Sequence, residues 1–570
     1  MSAFTNLCAV RSALPDEAGT RRRDGRSGMD AQSLTILGQP PAGLVRRERR
    51  WRIAIVALVV ALYAAGLSSQ WWIAPDSGLY LNIARNLVRG QGYTIAGRAH
   101  VHVPPGFPCF LAGMMSLGLG SFTAINAAMT AMGLVTVLAA YLLLRELVDC
   151  RWAMLLAAAF ALSREMVERS GQVLTDVPFT LLVVSAMWLY YRGLRADRPE
   201  RSGWEIASAL LVASCWVRSA GFPLAVGAAV GLVLSGWRDA RARAVFNAVV
   251  AMVGLAASGA FFYWYVRTHG SAETTSYLGS LARVSSRYSG LGWLAAPARQ
   301  VYVASGEVSR LFTAQKMPLP AAMVLLVLPV GAAIVRRIAR RDFLGPLTAA
   351  FYVGGVCLAA SVPRTRYFLP VFPLLILYLL EGWAWGVSAV ARGRPAVKGV
   401  LACVLMVVIV AMNAPLIVRS LIEKYSPDYA ANQQGGQYLA SAKVVEYLRQ
   451  HRPPAGANVL AEQPVAYLAD VGSPTVSRAM EESTPAPSEL AEYLASWRIA
   501  YAVVQVGRGS PALHKALADY LERFGPPVFT FDDLWVFRVE EAALLPLTQP
   551  SPPAGWPQTI GWLHASREDE

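Results

Sequence analysis

The chain has 570 residues, of which 55% are hydrophobic and only 16% are charged, and its mean hydropathy is +0.39. A water-soluble protein of this length needs a more polar surface, so the composition excludes an ordinary soluble enzyme and indicates a polytopic membrane protein. The formal charge is +15, but the basic residues cluster at the ends of apolar runs, as expected for cytoplasmic loops. We therefore expect membrane lipids, and no nucleic acid, among the partners.

The N-terminal region, residues 1–45, is polar and rich in arginine, which predicts a disordered cytoplasmic segment. The apolar run that follows is about as long as a full span and longer than the core of a cleaved signal peptide. A basic cluster at 46–52 places the N-terminus inside under the positive-inside rule. Residues 46–419 are then predicted to form a multi-span membrane domain, with outer loops at 71–104 and 267–320.

Apolar runs follow one another along this domain. They lie at 52–70, 105–120, 122–144, 152–163, 174–191, 204–217, 222–236, 245–266, 321–335, 343–362, 367–390 and 398–418. If 105–144 makes a single net crossing, all the basic loops, including the one around 336–342, lie on the inner side of the membrane. We therefore interpret 105–120 as re-entrant and expect about eleven crossings. The alternative is that two other runs are miscounted, which also leaves the C-terminus outside.

The remaining segments lie outside the membrane in this interpretation. The loop 267–320 predicts an amphipathic helix on the membrane surface, because its tryptophan and tyrosine side chains suit the interface. Residues 420–545 alternate helix and strand patterns, with NVLAE and AYAVVQVG as strands and a final hairpin, which predicts a small α/β domain. The tail 546–570 is rich in proline. The expected topology is multi-pass, with a cytoplasmic N-terminus and an extracytoplasmic α/β domain.

Asp76 is the first candidate catalytic residue. It follows the first span in the stretch WWIAPDSGLYLNIARNLVRG. With Tyr80 and Ala84 it forms one stripe of a helix at i, i+4 and i+8 spacing. Aspartate is also a favoured N-cap, so a purely structural capping role is the competing interpretation.

Asp176 is the second candidate. It stands at the start of another span in ERSGQVLTDVPFTLL, on the same outer side by the charge argument. Thr175 or Asp176 could simply cap the helix ahead of Pro178. Charged groups at membrane depth are costly and usually face a cavity. We therefore predict that the two acids meet at least one guanidinium in a single hollow.

Arginines are also predicted on the outer side. Arg218 interrupts ASCWVRSAGFPLAV, and Arg364 and Arg366 precede Tyr367 in SVPRTRYFLPVFPLL. The positive-inside rule disfavours arginine there, and a guanidinium offers a bidentate fork to a phosphate. Pairing with lipid head groups or with nearby acidic residues is the alternative.

Histidines and possible metal ligands provide weaker evidence for a functional site. His102, just before the PPGFP turn, is a candidate for substrate binding, although a lone histidine there is more often an ordinary surface residue. The sequence contains no phosphate-binding loop, HExxH pair or GxSxG elbow, and its Cys residues are scattered. No cofactor is indicated, and a divalent metal is left open.

Five segments resemble a known family. They are PDSGLYLNIARNLVRGQGY, PPGFPCFLAGMMSLG, SGQVLTDVPFTLL, RSAGFPLAV and RTRYFLPVFPLLILYLLEG, in family order over roughly residues 50–390. Together they resemble the GT-C type glycosyltransferases, in particular the protein O-mannosyltransferase and aminoarabinose (lipid A) transferase group. The resemblance implies an α-helical polytopic membrane bundle with a small C-terminal α/β domain, located in a bacterial cytoplasmic membrane. It also implies transfer of a sugar, with inversion, from a polyprenyl-phosphate donor to an envelope acceptor, which is a lipid, a glycan or a protein.

The resemblance further implies roles for single residues. Asp76 matches the general base or acceptor-orienting group, and Asp176 matches the second acidic position. Arg218 and Arg366 match the arginines that hold the donor phosphate. The chain departs from many relatives at Ser77, where they carry a second acidic residue.

Elementary chemistry is compatible with this function. A lipid-phosphate sugar is already activated, so the protein needs only cations for the leaving phosphate and a base for the acceptor. One base with an arginine clamp suits direct displacement better than a covalent intermediate. The alternative is a lipid-linked sugar or polysaccharide transporter, which also has many spans and buried arginines but should show inverted repeats. A scaffold that binds cell-wall material is a third class.

Overall fold

The structure is a computed structural model. It describes residues 45–68, 71, 74–101, 103–195, 203–237, 240–269, 292–359, 364–390, 395–425, 437–454, 457–461, 465–466, 469–471, 473, 485–506, 512–531 and 534–539. The sequence expectations for 1–44 and 546–570, and part of those for 267–320, lie outside these residues.

Helices account for all the apolar runs of the membrane domain. They are α1 (Val45–Ala65), α2 (Pro75–Val88), α3 (Gly106–Ser116), α4 (Phe122–Leu147), α5 (Cys150–Ala161), α6 (Arg164–Ser170), α7 (Asp176–Arg195), α8 (Trp204–Val217), α9 (Gly221–Gly236), α10 (Arg241–His269), α11 (Gly292–Thr313), α12 (Leu319–Ala339), α13 (Leu344–Ala359), α14 (Phe372–Val390) and α15 (Pro395–Tyr425). A short antiparallel hairpin, β1 (Thr94–Ile95) and β2 (Arg98–Ala99), lies between α2 and α3.

Among the described residues, 6 helices are long and apolar enough to cross a membrane. They are α4, α7, α10, α12, the segment Thr365–Val387 and the segment Cys403–Ile422. Shorter apolar helices, α3, α5, α8, α9 and most of α13, accompany them. Helix α1 falls outside this set because arginines crowd its first turns. The predicted polytopic helical bundle is confirmed.

Helix α3 has 11 residues, so it is about 16 Å long and shorter than the roughly 20 residues that a full span needs. The re-entrant interpretation of 105–120 remains a prediction. The first residue of α3, Gly106, lies directly against the end of α8. A Cβ atom at Gly106 would lie 2.7 Å from the carbonyl oxygen of Trp216, so only glycine allows this approach.

A 3₁₀ segment, Thr365–Val371, precedes α14. Pro370 explains it, because in an α-helix the proline ring clashes with the carbonyl four residues earlier, which here is that of Arg366. The α-helix therefore begins only at Phe372. The 3₁₀ segment packs against α7, and its Phe368 and Leu369 are buried. Proline chemistry thus places Arg366 at the head of a span.

The C-terminal region forms the predicted α/β unit. Its described elements are α16 (Gln437–Gln450), β3 (Asn458–Leu460), α17 (Pro487–Ser496), β4 (Ile499–Gln505), α18 (Ala512–Leu521), β5 (Phe529–Phe531) and β6 (Leu534–Arg538). The sheet order is β3-β4-β6-β5, with β3 parallel to β4 and the other pairs antiparallel. Both predicted strands and the hairpin are present. The predicted boundary at 420 falls within α15, which continues to Tyr425.

Candidate active site

Asp76 lies in the first turn of α2. The N-cap of this helix is Ala74, and Pro75 occupies its first position. The buried hydroxyl of Ser77 fixes the helix start, because it donates to the carbonyl of Ala74 at 2.5 Å and accepts the indole N–H of Trp71 at 3.1 Å. Asp76 therefore does not cap the helix, and its carboxylate is available for another partner.

Asp176 begins α7 and is almost completely buried. Arg218 Nη1 donates to Asp176 Oδ1 at 2.5 Å. Arg218 occupies the C-cap of α8 in an extended conformation, where the chain turns towards α9. A cation at a helix C-terminus is also favoured by the helix dipole. The ion pair therefore ties the start of α7 to the turn between α8 and α9.

Arg366 connects the two acids. Its Nη2 donates to Asp76 Oδ2 at 2.7 Å, and its Nη1 lies 4.0 Å from Asp176 Oδ2. The buried Nε of Arg366 has no hydrogen-bond partner among the described residues. Asp76, Arg366, Asp176 and Arg218 thus form one continuous set of charges, which we call the acid–arginine cluster.

Tyr367 supports both guanidinium groups. The Cζ atom of Arg218 lies 4.6 Å from the centroid of its ring, and that of Arg366 lies 5.5 Å away. Both distances suit cation–π attraction. The carbonyl of Tyr367 accepts a hydrogen bond from the hydroxyl of Tyr352 at 2.5 Å. The aromatic ring therefore helps to hold two like charges side by side.

Tyr80 packs one turn along α2 from Asp76. Its ring meets Phe107 edge to face, with the centroids 5.3 Å apart. Burial raises the pKa of Tyr80, and the nearby carboxylate of Asp76 raises it further. Tyr80 therefore stays protonated and keeps its hydroxyl as a hydrogen-bond donor.

The two acids differ in access to solvent. The side chain of Asp76 is 43% exposed, whereas that of Asp176 is 2% exposed. Both arginines of the cluster are mostly buried. Asp76 is therefore the end of the cluster that solvent reaches, whereas Asp176 is closed off from it.

Two further predicted residues, Arg364 and His102, are not part of this cluster as the described residues define it. Arg364 is exposed, and its carbonyl accepts a hydrogen bond from the N–H of Tyr367 at 2.9 Å. His102 lies outside the described residues. Its neighbour His100 is buried and accepts a hydrogen bond from the N–H of Val103 at 3.2 Å, which stabilises the turn. The described residues contain no group of three or more His, Cys, Asp or Glu that could hold a metal ion.

Glu307 is a neighbour of the cluster that sequence reasoning missed. Its Oε2 accepts hydrogen bonds from Thr365 Oγ1 at 2.6 Å and from the N–H of Thr365 at 3.2 Å. Lys316 Nζ lies 3.0 Å from its other oxygen. Glu307 therefore anchors the residue directly before Arg366. Glu307 and Thr365 are 58 positions apart in the sequence, so no local pattern could reveal their contact.

Residues 102–264 match the family model of the dolichyl-phosphate-mannose-protein mannosyltransferases. No curated protein sequence matches the chain significantly. The structure of ArnT from Cupriavidus metallidurans bound to undecaprenyl phosphate is similar at 14% identity and a TM-score of 0.55, over 86% of this chain and 98% of that one. Its apo state matches at 15% identity and a TM-score of 0.53, over 87% and 99%. The chain has a GT-C fold.

A third similar structure is the archaeal oligosaccharyltransferase AglB from Archaeoglobus fulgidus in complex with an inhibitory peptide and a dolichol-phosphate. It matches at 14% identity and a TM-score of 0.49, over 80% of this chain and 70% of that one. The family model and the two ArnT structures confirm the resemblance to GT-C glycosyltransferases that five sequence segments predicted. The family match includes Asp176 and Arg218 but not Asp76 or Arg366. In the structure, Asp76 and Arg366 lie beside the pair formed by Asp176 and Arg218.

Proposed function

We propose that this protein is a membrane glycosyltransferase that moves a sugar from a polyprenyl-phosphate donor to an envelope acceptor. Transfer takes place at the acid–arginine cluster, on the outer face of a bacterial cytoplasmic membrane. One observation carries the proposal: a solvent-accessible carboxylate, Asp76, lies 2.7 Å from a guanidinium that also faces a buried ion pair. The match to a lipid-phosphate-dependent mannosyltransferase family and the ArnT fold support it.

The arginines suit the donor phosphate. Two neighbouring guanidiniums repel each other, and Asp76 and Asp176 balance their charges. Arg366 nevertheless keeps its Nε unpaired among the described residues, and its Nη1 is too far from Asp176 for a hydrogen bond. A phosphate that approaches this guanidinium finds donors in the planar fork that phosphate oxygens prefer. Arg218, fixed by Asp176, provides the second cation.

An apolar groove suits the lipid tail of such a donor. A cavity of about 580 Å³ runs along α8 and α10, with an almost wholly apolar wall. Its lining includes Trp216 and Val217, the residues directly before Arg218. We call it the α8–α10 groove. The charged residue in its lining, Glu205, lies at the start of α8 and is paired with Arg243 at 2.9 Å. A polyprenyl chain lying in the groove would present its phosphate to Arg218 at the other end of α8.

The reaction follows from this placement. Asp76 removes the proton from an acceptor hydroxyl or amine, and the acceptor atom attacks the anomeric carbon opposite the phosphate. The bond between that carbon and the phosphate oxygen breaks, and polyprenyl phosphate leaves with the electron pair, stabilised by Arg218 and Arg366. The configuration is inverted because displacement occurs in one step. A positioned base contributes about 10²–10⁴-fold to such a rate.

Asp176 has a different role in this scheme. It is buried and paired, so it cannot reach an acceptor. Its charge keeps two guanidiniums together at one place, which makes it a positioning residue. The sugar is a hexose or a pentose, and the acceptor is a lipid, a glycan or a protein. The alternative of a lipid-linked sugar transporter gains no support from the family match or the fold.

A transfer assay tests the proposal. The full chain in lipid nanodiscs is incubated with synthetic polyprenyl-phosphate hexoses and pentoses and with an envelope extract, and products are followed by mass spectrometry. Asp76→Asn should lower the transfer rate by about 10²–10⁴-fold while donor binding persists, because only the base is lost. Asp519→Asn, at an exposed position of α18, is the matched control and should leave the rate unchanged.

Two results would contradict the proposal. Undiminished transfer by Asp76→Asn would remove that residue as the base. Absence of transfer by the unaltered protein from every lipid-phosphate sugar, with donor binding also absent, would exclude the function itself.

A further inference from the structure

A second charged cavity lies beside the acid–arginine cluster. It has a volume of about 480 Å³ and lies between α6, the end of α11 and Thr365. Thr365 directly precedes Arg366, so the cavity and the cluster share one stretch of backbone. We call it the α6–α11 cavity. None of the steps proposed above uses it.

The lining of this cavity is mainly cationic. It contains the cations Arg164, Arg169, Arg310 and Lys316 and the carboxylates Glu165 and Glu168. A further carboxylate, that of Glu307, lies behind Arg310 and Lys316. Four cations thus face three carboxylates, which leaves one positive charge in excess.

The carboxylates and the cations of this cavity differ in their exposure to solvent. The side chains of Glu168 and Glu165 are only 9% and 15% exposed. Three of the four cations are more open: Arg164 is 41%, Arg310 is 45% and Lys316 is 53% exposed. The fourth, Arg169, is 20% exposed and pairs with Glu165. The carboxylates therefore form the wall, and the cationic groups face whatever enters the cavity.

Backbone contacts hold these cations in place. The N–H of Arg164 donates to Asn413 Oδ1 on α15 at 2.9 Å, which fixes the start of α6. Beyond α11, Ala314 adopts a φ of +57°, a conformation that non-glycine residues seldom take. This left-handed turn brings Gln315 and Lys316 back over the end of α11, and Thr313 Oγ1 donates to the carbonyl of Gln315 at 2.8 Å. Such strain is typical of functional segments.

We propose that the α6–α11 cavity binds an anionic group, a phosphate or a carboxylate, that the acceptor carries apart from its attacking atom. This rests on the proposed function, in which the donor's phosphate is held by Arg218 and Arg366. The donor has no second anionic group to offer. An acceptor anchored here by its anion places a neighbouring hydroxyl or amine on the Asp76 side of Arg366. The anion belongs either to a lipid headgroup or to a soluble glycan.

Phosphate binding tests this without any sugar transfer. Inorganic phosphate is titrated calorimetrically into the full chain in neutral phosphatidylcholine nanodiscs, with Arg366→Met present to weaken the other phosphate site. Adding Arg310→Gln and Lys316→Gln should weaken binding about tenfold or more, because two charge-assisted contacts are lost. Adding Arg267→Gln and Lys443→Gln, which remove the same charges at exposed positions, should leave binding unchanged.

The outcomes separate cleanly. We call the variant with Arg310→Gln and Lys316→Gln the Gln pair, and the variant with Arg267→Gln and Lys443→Gln its control. Equal phosphate affinity in these two variants, or no saturable binding of phosphate, would overturn the proposal. The charge-preserving change Arg310→Lys should retain binding, which distinguishes lost charge from lost structure. Nanodiscs that contain phosphatidylglycerol distinguish the two sources of the anion. If the lipid weakens phosphate binding, and does so only while Arg310 and Lys316 are present, the anion is a lipid headgroup. If the lipid does not compete with phosphate, the anion is soluble. Failure of sugar transfer would leave the phosphate result readable, since no donor is present.

Discussion

Two ion clusters with buried arginines lie at opposite ends of α7. The acid–arginine cluster is at its first residue, Asp176. The other contains Arg337, Asp342 and Glu381 and lies beside Tyr191, about 22 Å further along the helix. We call it the Arg337 cluster. Both place charge deep in an apolar bundle, yet they are built differently.

The Arg337 cluster is complete. Arg337 contacts Glu381 through two nitrogens, at 2.7 Å and 2.5 Å, and Asp342 through the third, at 2.5 Å. The hydroxyl of Tyr191 donates to Asp342 at 2.9 Å and accepts from the N–H of Gly345 at 2.8 Å. Every nitrogen of the guanidinium has a partner. This arrangement ties α7, α12, α13 and α14 together.

The acid–arginine cluster is incomplete by the same measure. Arg366 makes one close contact through one nitrogen, a second nitrogen is 4.0 Å from its acid, and the third is unpaired among the described residues. A buried ion pair is by itself weak support for function, because many are structural. The contrast between a saturated arginine and an unsaturated one on the same helix is more informative. The contrast supports our proposal that the acid–arginine cluster binds a ligand, whereas the Arg337 cluster holds helices together.

The largest expected effect comes from removing each arginine in turn. Arg337→Met leaves two buried carboxylates without their cation, so we expect the folded state to lose about 3–5 kcal/mol. Arg366→Met leaves Asp76 in contact with water and Asp176 paired with Arg218, so folding should persist while transfer falls about 10²–10³-fold. Thermal unfolding in detergent and transfer per folded molecule separate the two effects.

The two arginines thus act as controls for each other. Normal transfer per folded molecule is expected for Arg337→Met, which touches no proposed substrate group. If Arg366→Met instead unfolded the protein and left transfer by the folded fraction intact, the distinction between the clusters would be wrong.

Much of this picture could be predicted from the sequence. Apolar runs fix the helices because a span must bury its backbone polar groups and expose apolar side chains to lipid. Asp76, Asp176, Arg218 and Arg366 stand out for the same reason, since charge beside apolar runs is costly. The structure brings these four together. Their catalytic roles remain proposals.

The sequence could not separate neighbouring charges from one another. Arg337 lies in a basic stretch that reads as a solvated loop, yet α12 extends to Ala339 and buries Arg337 against Glu381. Arg364 and Arg366 look equivalent in the sequence, but the 3₁₀ segment begins between them. Arg366 contacts Asp76, whereas Arg364 is exposed. Such differences depend on helix ends and on contacts distant in sequence, which local patterns do not encode.

Glu307 should give an intermediate effect. Glu307→Ala removes the acceptor for both the N–H and the hydroxyl of buried Thr365, at a cost of about 1–3 kcal/mol. The 3₁₀ segment then positions Arg366 less well, so we expect kcat to fall about tenfold with little change in the KM for the donor. Glu307→Gln keeps an acceptor oxygen and should restore most of kcat. An equal loss in both variants would show that charge, and not the anchor, matters.

The smallest effect is expected where α2 meets the C-terminal domain. Asp470, with φ +58°, accepts from Arg89 at 2.7 Å and 3.0 Å and pairs with Arg85 at 2.7 Å. These arginines end the helix whose first turn carries Asp76. Arg98 likewise lies 4.0 Å over the ring of Trp497 in the C-terminal domain. The contacts fix one end of α2 and so steady the base at the other.

Asp470→Asn should therefore reduce transfer by less than about fivefold, because partly exposed ion pairs contribute about 0–1 kcal/mol. The hydrogen bond from Arg89 holds the pKa of Asp470 below its ordinary value. Its stabilisation is fully present above the unfolded pKa, about 3.9, and is lost as the pH falls through the folded pKa. Between about pH 5 and 8 the effect of Asp470→Asn should thus not depend on pH.

Added salt should shrink the difference in transfer rate between the unaltered protein and Asp470→Asn, since exposed ion pairs are screened and the buried cluster at Asp176 is not. A salt-independent loss would assign Asp470 to the rigidity of the domain itself and leave α2 held by other contacts.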